Sequence, residues 1–437
     1  MMEVSTSMSN SRELDGKRDN EPSGVPERKP RLLWANVYCL LDTSSGASLS
    51  VREMLRQLAF RGWEIAILGA TVFDHKDGMR GLSAHWERIA EKKVVHLFDD
   101  PLQHELLVVS STLRDDMSCR EESRWLSLYV RKLETFRPDM VWYYGGQPLD
   151  LLIADEASSR GIPVAAYLAN GSYRGTRWCR DVDVIVTDSV ATAAYYRKNH
   201  GIEPIPVGKF IDPARVIAKE HSRRNLLFIN PLLQKGVGIV IQLALLLGKR
   251  RPDIIIEVVE SRGNWHAFVE KITAQLGDPH DRLDNVLVTA HTTDMCPVYG
   301  RARLLLVPSL GWESGPRVAV EAMLNGIPAI VSNCGGIAEM IGNAGIRFDV
   351  PDACHKKPFV TLPGMDLLEP VVDRIIRLYD DEELYAVFVS RAFEVARTKH
   401  SMEISVRRLM DAFDPLLLKR AGERVVSEVF TDHDQRY

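Results

Sequence analysis

The stretch "PSLGWESGPRVAVEAMLNGIPAIVSNCGG", Pro308 to Gly336, decides the fold. The apolar run "RLLLVPS" that leads into it reads as a buried strand ending at Pro308-Ser309. "LGWES" is then a loop at the strand's carboxyl end. Ser314 or Gly315 is placed to cap the next helix, and Pro316 suits its first turn, where a missing amide hydrogen costs nothing. The helix "RVAVEAMLN" stops at Gly326, and Ile327-Pro328 leads into the strand "AIVS". A helix start at a strand end presents free amides and the positive end of the helix dipole, so it is an anion site. Arg317 adds a cation there. Glu321 lies one turn further on, roughly 6 Å by helical rise. A carboxylate at that distance can accept both hydroxyls of a ribose, as acidic residues do in dinucleotide folds. Glu313, separated from Glu321 by seven intervening residues, precedes the helix on the side where the rest of a nucleotide ligand would project. Either glutamate alone reads as a solvated or dipole-stabilising residue. The pair, framed by a strand-end loop, a helix start and the Gly335-Gly336 turn, is much more specific.

Working outward, short β-rich runs alternate with helix-like segments. "RLLWANVYCL", "WEIAILGATVF", "DMVWYYGG", "PVAAYLAN" and "DVIVTDS" are strands, with "SVREMLRQLAFRG" and "RWLSLYVRKLETF" as helices between them. This rhythm predicts βαβ units and a parallel sheet covered on both faces. After the polar stretch from Ile211 to Asn225 the pattern restarts with "LLFIN", "IIIEVVE", "NVLVTA", "RLLLVPS" and "AIVS". The expected fold is therefore α/β, with two Rossmann-like domains facing each other across a cleft and ligands at the strands' carboxyl ends. The expected divisions are a disordered tail at 1–30, an acceptor domain at 31–212, a donor domain at 213–400, and a C-terminal helix at 401–437 packing back on the first domain. A length of 437 residues suits two domains.

Composition narrows the class. The chain is 45% hydrophobic and 26% charged, as a globular enzyme would be, and its net charge of -4 offers no basic field to a nucleic acid. Six scattered cysteines form no Cys-x-x-Cys pair, which argues against a disulfide framework and for a reducing, cytoplasmic setting. Residues 1–30 lack the apolar core of an export signal. The greasiest segment, "GVGIVIQLALLLG" from Gly236 to Gly248, is too short to span a bilayer and reads as a buried core helix. Peripheral membrane contact is left open.

The opening stretch, continued through "IAEMIG", resembles the donor-site signature of the retaining glycosyltransferases of family 4, which have the GT-B fold. "SSGASLSVREMLRQLAFRGWEIAIL", "FRPDMVWYYGG", "DVDVIVTDSVATAAYYRKNHGIEPIPVGKFID" and "LLFINPLLQKGVGIVIQLALLL" resemble further family segments in the same order. The similarity runs from about Arg31 to about Arg408. It implies a metal-independent retaining hexosyltransferase using a nucleoside diphosphate sugar, UDP first and GDP second. It implies that Lys235 contacts the donor diphosphate, that Glu313 faces the transferred sugar and that Glu321 holds the ribose. Gly46 would keep the first loop open, and Asn230, Gly315, Val318, Gly335, Gly336 and His291 complete the donor-side set.

The chain departs from the family pattern at three places along the donor and acceptor sites. Asn230 stands where an arginine is common, so one diphosphate cation is missing. Arg317, at a usually apolar position, is the candidate replacement and completes a catalytic set with Glu313 and Lys235. Pro316 stands in place of a glycine. Ala169 and Asn170 stand where many relatives carry a histidine. These departures keep a second reading alive, a non-catalytic nucleotide-sugar binder or partner subunit. No cofactor or metal is expected. The "DVD" of Asp181–Asp183 precedes a strand instead of ending one, Asp99-Asp100 reads as loop charge, and the histidines lack zinc spacing. The acceptor, whether a small molecule, a glycan or lipid-linked, should meet the loops "FDHKDGMRG" and "NGSYRGTRWCR". His75, Asn170, Arg174 and Arg177 are its candidate contacts, with Tyr173 and Trp178 beside them.

Overall fold

Val-, Leu- and Ile-rich runs buried on both faces can only be inner strands of a covered sheet, and they set the architecture. In the computed structural model, which describes residues 28–433, they form two separate sheets. The first comprises β1 (Arg31–Ala35), β2 (Glu64–Ala70), β3 (Val94–Asp99), β4 (Leu102–Leu107), β5 (Met140–Tyr143), β6 (Val164–Leu168), β7 (Val184–Thr187) and β8 (Ile205–Pro206), in the order β3-β4-β2-β1-β5-β6-β7-β8. All neighbours are parallel except the β3–β4 hairpin at one edge. The second comprises β9 (Asn225–Ile229), β10 (Ile256–Val259), β11 (Val286–Thr289), β12 (Ala302–Val307), β13 (Ala329–Ser332) and β14 (Gly345–Phe348), in the order β11-β10-β9-β12-β13-β14, all parallel. Each sheet has the expected doubly wound form. In each, chain order reverses beside the first strand, and that switch opens a crevice at the strands' carboxyl ends.

The greasy segment becomes the helix Val237–Arg250, with Val237, Ile239, Val240, Ile241, Leu243 and Leu247 wholly buried in the core of the second domain. Among the described residues no helix is long and apolar enough to cross a membrane. All six cysteines are unpaired. The expected tail lies outside the described residues, apart from Arg28 to Pro30.

The end of the chain returns to the first domain. The helix Glu382–Lys399 packs on the second domain through Ala392, Val395 and Ala396. After His400 the next helix, Met402–His433, places Val406, Leu409, Ala412, Phe413 and Leu416 against Trp34, Trp63 and Trp142. The Phe413 ring meets Trp142 edge-on with centroids 5.0 Å apart, and it lies 6.3 Å from Trp63. Aspartate 99 corrects the sequence reading. It is no free loop charge: Arg52 and Arg56 hold its carboxylate at 2.5 Å. Burial works to raise its pKa, but the Arg52 hydrogen bonds and the arginine charges overcome this and keep it well below the usual carboxylate range.

Phe413 is wholly buried, so Phe413→Ala should remove about 3–5 kcal/mol of first-domain stability through lost transfer energy and the cavity left behind. Denaturant unfolding followed by tryptophan fluorescence checks this. A midpoint matching wild type would show that the returning helix contributes no core.

Candidate functional site

The loop after β12 is built by backbone hydrogen bonds to its neighbours. The amides of Leu310 and Gly311 both donate to the Gln234 carbonyl at 2.9 Å, which pins the loop to the segment after β9. Ser332 Oγ donates to the Ser309 carbonyl at 2.7 Å, and the Gly336 amide donates to the Glu313 carbonyl at 2.6 Å. Glu313 is thereby held from both sides. Its carboxylate accepts Ser309 Oγ at 2.8 Å and pairs with the Lys235 ammonium. The residues proposed from sequence for the diphosphate and the sugar thus hold each other.

Gly335 and Gly336 differ from the sequence reading. They do not line the cleft. They lie behind Glu313 and carry it. Gly335 has φ +65°, and a Cβ there would sit 2.3 Å from the Glu313 carbonyl oxygen, a contact that nothing larger than glycine permits.

The helix Arg317–Leu324 begins with Pro316 as its N-cap, no side chain caps it, and Arg317 and Val318 of its first turn line the cleft. Neither Ser314 nor Gly315 caps it, contrary to expectation. Ser314 Oγ instead lies 3.3 Å from Thr187 Oγ1 of the first domain, and Gly315 packs so tightly there that a Cβ would meet Asp188 at 2.9 Å. Arg317 reaches back with one nitrogen to the Phe210 carbonyl, at 2.9 Å, and with the other to Glu321, at 3.1 Å. The Tyr299 hydroxyl donates to the second Glu321 oxygen at 2.7 Å. Burial, reinforced by the Glu321 charge, pushes the Tyr299 pKa far up, so that hydroxyl stays a donor. Glu321 is a buried, doubly supported carboxylate whose edge meets the cleft.

The facing wall comes from the first domain. Gly46 starts the helix Gly46–Phe60 directly opposite Arg317, whose Cδ would lie 3.9 Å from a Cβ at Gly46. Beside it lies a cluster that sequence reasoning missed. Asp188, at the end of β7, accepts the Lys209 ammonium and the Tyr167 hydroxyl, each at 2.7 Å. All three line the cleft. Burial lowers the Lys209 pKa, and the Asp188 charge opposes that shift. The only sequence signals were an acid closing "VIVTD" and a lysine in "VGKFID". Trp312 also went unnoticed. Its indole donates to Thr192 Oγ1 at 3.2 Å and packs on Tyr195, with centroids 4.4 Å apart. Glu339 of the second domain accepts the free amides of Val190 and Ala191, at 3.0 and 2.8 Å, at the start of the helix Val190–His200. The two walls meet through these contacts around a cavity of about 770 Å³.

The remaining candidates divide. Asn230, Val318, His291 and Asn170 line the cleft. Burial lowers the His291 pKa and favours its neutral form. Asn230 points at backbone, accepting the Arg262 amide at 3.1 Å. His75 stays outside the cleft lining and caps its own turn, accepting the Asp77 amide at 3.3 Å. Arg174 curls onto the carbonyls of Gly171 and Tyr173. Arg177 lies at a different surface hollow, beside Trp178 and Asp181. The loop turns that way because Tyr173 and Trp178 pack against each other at a tilt, with centroids 4.8 Å apart, into the first domain's core. Asp183 accepts the Val164 amide at 2.9 Å, away from the cleft. Among the described residues no group of three or more His, Cys, Asp or Glu is arranged to hold a metal ion.

Residues 261–357 match the family model of the group 1 glycosyl transferases. Over 129 residues the chain is 29% identical to an uncharacterized glycosyltransferase of Methanocaldococcus jannaschii; the match covers 29% of this chain and 32% of that protein. The chain therefore spans about a third of the length of the curated relative it matches. Among solved structures, a glycosyltransferase from Rickettsia africae aligns at a TM-score of 0.64 with 13% identity, covering 89% of this chain and 99% of that one. HepE of Anabaena in complex with UDP-glucose aligns at 0.63 with 13% identity, covering 88% and 99%. Sucrose-phosphate synthase from Thermosynechococcus elongatus aligns at 0.56 with 14% identity, covering 93% and 100%. At these identities the likeness shows the fold, which is GT-B.

Gly335→Ala should displace the Glu313 loop. Its left-handed backbone alone costs an alanine about 1–2 kcal/mol, and the collision with the Glu313 carbonyl adds to that. Faster amide hydrogen exchange across residues 309–316, with a lower thermal midpoint, is the expected result. Wild-type exchange in that loop would show that the glycine is not its support.

Proposed function

We propose that this chain, which has the GT-B fold and carries a group 1 glycosyl transferase segment, moves a sugar from a nucleoside diphosphate sugar to an acceptor, with retention at the sugar carbon and without a metal ion. UDP is the first choice of nucleotide and GDP the second. One observation carries the reading. Glu313 with Lys235, and Glu321 with Arg317 and Tyr299, stand one helical start apart in a cleft closed by the opposing domain.

The roles follow from geometry and charge. Glu321 takes the ribose hydroxyls, with Tyr299 and Arg317 fixing its carboxylate. The uncapped amides at Arg317 and Val318 take a phosphate oxygen. The diphosphate draws Lys235 away from Glu313, so donor binding exchanges one ion pair for another. Glu313, released, turns to the sugar. The bond from the sugar carbon to the diphosphate oxygen breaks, and its electron pair leaves with the diphosphate. The acceptor hydroxyl attaches on the same face and passes its proton to the departing oxygen. Lys235 and the helix amides stabilise the charge that develops there. The acceptor enters along Asn170 and the Asp188–Lys209 cluster. Arg317, bound on both sides, positions Glu321 and the domain junction.

The non-catalytic alternative is favoured by the uncharged Asn230 and by Ala169 and Asn170, which stand where the resemblance implies an arginine and a histidine. Hydrolysis of UDP- and GDP-sugars by the purified protein separates the readings. Slow hydrolysis that persists in EDTA is expected. No turnover of any donor despite nucleotide binding would establish the alternative, and turnover restored only by magnesium or manganese would overturn metal independence.

The two glutamates should fail differently. Hydrogen bonds to a charged group contribute roughly 1.5–3 kcal/mol, so Glu321→Gln should weaken bare UDP or GDP by about tenfold or more. Glu313→Gln frees Lys235 and should bind the bare nucleotide at least as tightly as wild type, while turnover of the whole donor falls. Calorimetry and donor kinetics make the comparison. Equal weakening of the nucleotide by both changes would refute the division of roles.

A further inference from the structure

Arg262 lies in the loop after β10, and two close contacts clamp its backbone. Asn230 has φ +64°. Its amide donates to the Val259 carbonyl at 2.8 Å, and its side-chain oxygen accepts the Arg262 amide at 3.1 Å. At Gly263 a Cβ would sit 1.7 Å from the Pro231 carbonyl oxygen, so this loop and the segment leading to Lys235 are pressed together. Asn230 brings no charge of its own, but it fixes where the next loop's charge emerges.

Arg262 lines the cleft. Its Nε is buried and has no hydrogen-bond partner. The carboxylate paired with it is Asp74 of the opposite wall, 4.0 Å away, beyond hydrogen-bond reach. The other cleft arginines are committed. Arg52 is held by Asp99 at 2.5 Å, Arg215 by Asp212 at 3.3 Å, and Arg317 by Glu321 and the Phe210 carbonyl. Among the described residues, the cleft cations without a carboxylate at hydrogen-bond distance are Arg262 and Lys357, and Lys357 is exposed. A buried Nε–H without an acceptor is costly unless a ligand supplies one.

We propose that Arg262 is a diphosphate-binding residue, donating its unpartnered edge to a nucleotide diphosphate that Lys235 also contacts, while Asp74 balances its charge in the empty cleft. This rests on the nucleotide-sugar reading above. It gives the diphosphate two cations from adjacent strand-end loops, one a flexible ammonium and one a planar fork. Opening of the Arg262–Asp74 contact then accompanies donor entry.

The test is calorimetry of the full chain with UDP and UMP, and with GDP and GMP, for wild type, Arg262→Ala and Arg262→Lys. Arg262→Ala should lose tenfold or more in affinity for the diphosphate and no more than about threefold for the monophosphate, at an unchanged thermal midpoint. Arg262→Lys should fall between, keeping charge without the fork. Diphosphate affinity within twofold of wild type in Arg262→Ala, or equal losses for diphosphate and monophosphate, overturns the assignment. A wild-type protein that binds neither UDP nor GDP overturns the nucleotide-sugar reading itself, and this inference with it.

Discussion

The Lys235–Glu313 ion pair organises the second domain's half of the cleft, because each partner sits at the end of a loop shaped to deliver it. Lys235 comes from the turn after β9, and Glu313 from the loop after β12, its neighbour in the sheet. Two adjacent strand-end loops can exchange backbone hydrogen bonds directly, and Gln234 takes both from Leu310 and Gly311. A part-buried pair of this kind contributes little net stability, since desolvation offsets attraction. Its significance is positional. A carboxylate and an ammonium already held where a charged ligand must enter can trade partners without reorganising the loops around them.

The opposite wall works on another principle. Asp188, Lys209 and Tyr167 form a closed polar set in which donors and acceptors are matched. Such a satisfied network is rigid. It gives the loop from Glu313 to Pro316 a fixed surface to rest on, through Ser314 and Gly315. One face of the site is therefore exchangeable and the other is fixed.

The legible parts of this protein were the local ones. Alternating apolar runs announced both sheets, and the greasy helix Val237–Arg250 was recognisable as core because it was apolar all round. Glu313 and Glu321 stood out since their separation is a property of one loop and one helix. The partners that act across the cleft were hidden. Nothing near Asp188 in the chain says that Lys209 or Gly315 will approach it, and Trp312 reads as an ordinary loop aromatic until Thr192 and Tyr195 lie beneath it. The arginines of "NGSYRGTRWCR" were misjudged for a related reason. The direction of that loop is set by where Tyr173 and Trp178 find a core, a tertiary fact that composition does not carry. Glycine was ambiguous too: Gly335 reads equally as room for a ligand or room for a carbonyl, and it is the second.

The chain passes between the domains twice, once near Phe210 and once near Ser401. These crossings lie side by side, since Ser405 Oγ donates to the Lys209 carbonyl at 2.9 Å. Two covalent straps fastened together make a hinge line. Such a line would let the halves swing about it but not slide apart or twist freely. Any swing would be smallest at Lys209 and Arg317, which sit at the crossings, and would grow toward the contacts farthest from them.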